Sequence, residues 1–291
     1  MTNSVLAKVG FARILVATDF SDVSQRALEY AKSIARLHDS EIVLAHVSEP
    51  VNPVSPPEAE WFDNTAELQC ADQQLEDQGA ELRSQGLNAR TASLVGVTSK
   101  EIIAASIRER SDLIVVGTHG KTGFERLLFG SDSEALLQNS DCAVLVVRSL
   151  AKPVSAGQWP PKEIVFASSL NPESAPAAVF ASLLAEEYEA SFTIFHIESA
   201  AQLKRNHGVL EFQEAFARIF PGKRVPNYSS YSPVAAWLFG PAIVEFAKKR
   251  HADLIVMGAE RASSAVTHFA PSIVPLVAAE APCPVLILHN R

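Results

Sequence analysis

Between Gly117 and Ser131 the chain reads GTHGKTGFERLLFGS, and the spacing Gly117-x2-Gly120-x9-Gly130-Ser131 suits the binding of an anion. Glycines allow close backbone approach and positive φ. Gly130-Ser131 opens a predicted helix over Ser131–Asn139, whose free N–H groups and dipole favour phosphate. Lys121 and Arg126 stand in the same loop, either facing such a ligand or solvated. The apolar run before Gly117 reads as a buried strand, and open α/β sheets bind ligands at the carboxyl ends of their strands. Asp19 ends another strand-like run, RILVATD, where it either caps the following turn or faces the same ligand. The Walker pattern of a P-loop is absent, and no Ser/His/Asp or metal-ligand cluster emerges from the sequence.

The elements that must position these residues occur twice. RILVATDFSDVSQRAL, from Arg13, matches EIVFASSLNPESAPAA, from Glu163, at an offset of 150. The same offset carries IVLAHVSE onto FTIFHIES and His46 onto His196. SDLIVVG and ADLIVMG, ending at Gly117 and Gly258, match at an offset of 141, as do the runs from Cys142 and Cys283. Four blocks in the same order indicate a duplication. A histidine repeated inside an apolar strand reads as packed and hydrogen-bonded, whereas His119 in the loop is undecided.

In the first copy, strands are expected at Arg13–Thr18, Glu41–Val47, Asn88–Leu94, Asp112–Gly117 and Ala143–Arg148. Helices are expected from Ser21-Asp22 to about His38, over Thr65–Gln85, over Ser99–Glu109 and from Ser131. Such alternation implies a parallel sheet covered on both faces. The stretch Ala151–Pro161, rich in Pro, Gly and Ser, reads as a linker, giving domains at 1–150 and 162–291.

Residues 1–150 hold 13 Lys and Arg against 21 Asp and Glu, a net of −8, while residues 151–291 are neutral. An acidic chain without a basic stripe is unsuited to nucleic acid. No apolar run reaches the roughly 18 residues that a membrane helix needs, and a signal-peptide pattern is lacking. A cytoplasmic protein is expected. Cys70, Cys142 and Cys283 show neither metal nor disulfide spacing, and the latter two read as core residues.

The glycine pattern, the strand ending in Asp19 and the following DFSDVSQRAL resemble the nucleotide-binding branch of the universal stress proteins. The resemblance spans nearly the whole chain in two copies. It implies two tandem Rossmann-like domains of the adenine nucleotide alpha hydrolase type, each a five-stranded parallel sheet with helices on both faces. It also implies an ATP site, in which Asp19 lies near the adenosine moiety and the backbone around Val47 meets adenine. Gly117, Gly120, Gly130 and Ser131 would hold ribose and phosphates, and Ser133 would lie near the terminal phosphate. Lys121 and Arg126 would offset the acidity of the domain, with Mg²⁺ assisting. Asp132 departs from the family, which usually has an apolar or neutral residue there. Single-domain relatives commonly pair through the last strand, so an intramolecular pseudo-dimer is implied, with further homodimerisation open.

The second copy offers Ser169 for Asp19, Arg261 for Gly120, and Pro271-Ser272 for Gly130-Ser131. Proline removes a backbone donor and fixes φ, so one nucleotide per chain is expected, with the second domain structural or partner-binding. Three functions remain open at this point. The first is a nucleotide-binding stress regulator with little or no catalysis. The others are an ATPase or phosphoryl/nucleotidyl transferase on the same scaffold, and an interaction module with neither site filled.

Overall fold

The computed structural model describes residues 10–49, 65–118, 136–137, 139–148, 159–168, 172–197, 208–219, 228–231, 239–259 and 273–289. In the first half the strands are β1 (Arg13–Ala17), β2 (Glu41–Ser48), β3 (Ala89–Val95), β4 (Leu113–Thr118) and β5 (Ala143–Arg148). Between them run α1 (Asp22–His38), α2 (Thr65–Ser84) and α3 (Thr98–Arg108). The second half contributes β6 (Glu163–Ser168), β7 (Ser191–Ile197), β8 (Tyr228–Tyr231), β9 (Leu254–Ala259) and β10 (Val285–His289). Its helices are α4 (Ala175–Glu187), α5 (Gly208–Ile219), α6 (Phe239–Arg250) and α7 (Ile273–Glu280). Most bounds fall within two residues of those expected; the helix expected from Ser131 and the linker lie largely outside the described residues.

All ten strands join one sheet in the order β3-β2-β1-β4-β5-β10-β9-β6-β7-β8. Pairing is parallel within each half. The exception is β5 with β10, which run antiparallel with Leu145 opposite Leu286. Strand alternation sends successive side chains to opposite faces. Ile14 and Val16 join one core with α1, α2, α4 and α5. Leu15 and Ala17 join the other with α3, Leu136, Leu137, α6 and α7. Cys142 and Cys283 are buried in this second core, while Cys70 is exposed.

The duplication is visible in the backbone. Asp39 and Glu189, one repeat apart, both adopt positive φ (56° and 50°) just past α1 and α4. Arg110 and His251 repeat the feature beyond α3 and α6, each at 53°. Left-handed residues at helix ends satisfy orphan carbonyls, and four non-glycine residues accept that conformation here at equivalent places. Asp112 Oδ2 accepts from the backbone N–H groups of Ala12 (2.8 Å) and Arg13 (2.9 Å). Its counterpart Asp253 does the same for Lys162 and Glu163, both at 3.1 Å. These carboxylates pin the start of the central strand in each half.

Candidate functional site

The carboxyl ends of β2, β1 and β4 meet at one edge of the first half. Asp19 follows β1, and the chain turns sharply at Phe20, whose φ of 63° is unusual for a bulky residue. Asp19 Oδ1 accepts from the Ser21 backbone N–H (3.1 Å) and from Ser21 Oγ (2.5 Å). Ser21 is the N-cap of α1, its hydroxyl accepting from Ser24 N–H at 3.2 Å. One carboxylate oxygen thus organises the turn. The other, Oδ2, is buried and has no hydrogen-bond partner. A buried acceptor left unpaired costs about 1–3 kcal/mol, so its surroundings fit a ligand that donates a hydrogen bond.

His46 Nδ1 donates to the Thr18 carbonyl at 2.9 Å, and its ring lies against Phe20 with centroids 4.6 Å apart. His196 repeats the bond to the Ser168 carbonyl at 3.3 Å. Both histidines therefore fix the end of the neighbouring strand, as the repeated pattern suggested.

Val47 is partly buried on the α3 side of the sheet and pairs with Leu94. Continuing the register of β1 with β2 and β4 to the strand ends aligns Val47, Asp19 and Thr118. Thr118 in turn pairs with Arg148 of β5. By strand alternation these four side chains share the α3 face. Arg148 Nη1 donates to the Ala281 carbonyl of the second half at 2.8 Å, and burial depresses its guanidinium pKa.

Gly117 faces the opposite way. A Cβ there would lie 2.7 Å from the Val23 carbonyl oxygen and 2.9 Å from Ser24 N. The glycine is required for α1 to approach β4, a packing reason independent of any ligand. Gly258, its counterpart, would meet only the Ala177 Cβ at 3.5 Å, an ordinary contact. Gly120, Lys121, Arg126, Gly130, Ser131 and Ser133 lie outside the described residues, as do His119, Asp132, Ser169, Arg261, Pro271 and Ser272. The structure therefore brings together Asp19, Val47 and the start of the glycine loop.

Thr118 was not singled out by motif. It is fully buried, and its Oγ1 has no hydrogen-bond partner. A hydroxyl ending an otherwise apolar strand at the mouth of the glycine loop is the signal that would have found it.

A cavity of about 410 Å³ opens elsewhere, where the first-half strands begin, lined by Phe11, Asp112, Phe180 and His289 among others. Its polar lining is engaged by the protein. Asp112 holds two backbone N–H groups, and the His289 ring meets the Cys142 and Leu137 carbonyls. Among the described residues no group of three or more His, Cys, Asp or Glu is arranged to hold a metal ion. No described helix is long and apolar enough to cross a membrane.

The sequence model described as "Universal stress protein family" matches residues 10–148 and 240–289, more than half of the chain. A universal stress protein of Methanocaldococcus jannaschii is 34% identical over 152 residues, covering 49% of this chain and 85% of that protein. One from Bacillus subtilis is 31% identical over 147 residues, covering 47% and 99%. The crystal structure of a universal stress protein from Archaeoglobus fulgidus superposes with a TM-score of 0.70 at 20% identity, covering 96% of this chain and 99% of that one. With matches in both halves, this chain belongs to the universal stress protein family as a tandem member.

Proposed function

We propose that the chain is a stress-response regulator that binds one adenine nucleotide, ATP with Mg²⁺, in its N-terminal half. The observation that carries this reading is the buried, unpartnered Asp19 Oδ2 at the carboxyl end of β1. It lies one strand away from β4, which feeds the Gly117-x2-Gly120-x9-Gly130-Ser131 segment. Gly120, Gly130, Ser131 and Ser133, with Lys121 and Arg126, would take the phosphates, and Val47 the base. The net charge of −8 on residues 1–150 is the reason for the divalent ion, which relieves repulsion between an acidic domain and a polyphosphate. Domains at 1–150 and 162–291, joined by residues 151–161, would form an intramolecular pseudo-dimer working in the cytoplasm, with further homodimerisation open. Binding alone, without selective transition-state stabilisation, accelerates nothing, so little or no ATP turnover belongs to this reading.

Calorimetry of the full chain with ATP, with and without Mg²⁺, is the test. One site per chain, tighter with Mg²⁺ and weakened in Asp19→Ala, is expected. Two equivalent sites, or an Asp19→Ala variant that binds as well as the wild type, would overturn it. Steady turnover of about 1 per second or more, in the usual enzyme range, would instead support an ATPase or phosphoryl transferase.

A further inference from the structure

We infer that His289 is a proton switch at the seam between the two halves, an imidazolium that ties β10 to two carbonyls of the first half only while it is protonated. This does not depend on the nucleotide reading. The first observation is the pair of groups that the ring meets. Nδ1 lies 3.1 Å from the Cys142 carbonyl oxygen, and Nε2 meets the Leu137 carbonyl oxygen. A carbonyl oxygen only accepts, and a neutral imidazole carries a single N–H. Both bonds therefore form only with the doubly protonated ring. In a neutral ring one nitrogen lone pair would face a carbonyl oxygen, and a hydrogen bond from a charged donor would be lost. His46 shows the contrast: its Nδ1 bond to the Thr18 carbonyl is one that a neutral ring also makes.

The second observation is electrostatic. Leu136, Leu137 and Asn139 are helical, and Ser140 closes the turn by donating its N–H and its hydroxyl to the Leu136 carbonyl. The Leu137 carbonyl thus stands at a helix C-terminus, where a cation is favoured. Asp112, at the start of β4, and Asp141, just before β5, line the same cavity as the imidazole. The Cys142 thiol is the other titratable group among the residues lining it, and no Lys or Arg is among them. The remaining neighbours carry no charge: α4 presents Pro176, Ala177 and Phe180, and β9 pairs Ala259 with His289. Two carboxylates and a helix end therefore act on the ring in the same sense, towards the protonated form.

The third observation comes from the repeat. Arg148 is the counterpart of His289, 141 positions earlier. Continuing the β5–β10 register sets His289 opposite Cys142 and Arg148 opposite Cys283. Arg148 Nη1 crosses the seam in the other direction, reaching the Ala281 carbonyl at 2.8 Å. The same crossing is thus made twice. Arginine makes it with a permanent charge, and histidine makes it with a charge that can be lost near neutral pH.

The test uses the full chain, wild type, His289→Gln and His289→Arg. NMR of the histidine rings, with His289 identified by its absence from either variant, reads its protonation directly. A doubly protonated ring at pH 7 is expected, with a midpoint at about 7.5 or above, against about 6.5 for an unperturbed histidine. A value raised in the folded state stabilises it below the unfolded value, and the stabilisation is lost as pH rises through the folded one. On going from pH 8.5 to pH 5.5, the folding equilibrium of the wild type should therefore gain about tenfold over that of His289→Gln in urea unfolding. His289→Arg, permanently charged, should show no such gain over His289→Gln. The inference is overturned if His289 is neutral at pH 7, if its midpoint lies at or below about 6.5, or if the gap between wild type and His289→Gln is the same at both pH values.

Discussion

His38 Nε2 lies 2.7 Å from the phenolic oxygen of Tyr188, and the two residues are counterparts in the repeat, 150 positions apart. Two residues that meet their own equivalents mark a two-fold axis. The Leu145–Leu286 pair in the β5–β10 ladder, 141 positions apart, marks the same axis on the sheet. Aromatic packing extends from His38 and Tyr188 to Trp159, Tyr30, Phe11 and Phe180. Burial pushes the Tyr30 phenol up to about 12 and raises that of Tyr188 further, so both stay neutral at ordinary pH.

Tyr188→Phe removes the one hydrogen bond in this cluster that joins equivalent residues. A loss of about 1 kcal/mol in unfolding free energy is expected, measured by urea denaturation. Unchanged stability would mean that the His38–Tyr188 bond contributes nothing.

The two glycines next to last in the equivalent strands β4 and β9 should respond differently to alanine. Gly117→Ala places a methyl group 2.7 Å from the Val23 carbonyl oxygen and should destabilise by about 1–3 kcal/mol, as overpacking does. Gly258→Ala meets open contact at 3.5 Å and should stay within about 0.5 kcal/mol. Thermal unfolding of the two variants side by side decides the matter, and equal behaviour would refute the packing account of Gly117.

Arg90 joins two carboxylates. Its Nε lies 2.7 Å from Glu41 and its Nη2 2.5 Å from Glu109. The Arg90 hydrogen bond is the main reason both carboxyls titrate below their ordinary value of 4.5. Groups depressed in the folded state stabilise it above the unfolded value, and that stabilisation fades as pH falls below about 4.5 through the folded values. Arg90→Ala should therefore be less stable than wild type at pH 7, with the gap closing on acidification. A gap that is constant from pH 7 to pH 3 would exclude the linkage.

Residues 1–155 expressed alone would leave β5 as an open, apolar edge. Such edges pair or aggregate unless covered. Self-association or loss of solubility is expected in sedimentation, and a soluble monomer would show that the edge is protected by other means.

The duplication was legible in the sequence because both copies keep the apolar pattern of their strands, and the strand and helix bounds followed closely. Asp19 was found from its place after β1, and the structure shows why two readings of it competed: one oxygen caps the turn and the other does not. Gly117 stands in the glycine pattern read for anion binding, and the close approach of α1 is a further reason for it, a tertiary fact that spacing does not carry. Thr118 carries no motif signal, because threonine is common in strands and its burial without a partner is a tertiary fact. The His38–Tyr188 bond was likewise invisible, because unlike side chains at repeat-equivalent sites give no sequence signal.

The antiparallel junction of β5 and β10 also determines where the two copies look. Strands of the first half point one way along the sheet and those of the second half point the other, so their carboxyl edges lie on opposite rims. The same junction sets the start of β10 beside the carboxyl end of β5, where Arg148 reaches the Ala281 carbonyl of the second half. The sequence differences between the halves, Asp19 against Ser169 and Gly120 against Arg261, therefore belong to opposite rims of one sheet.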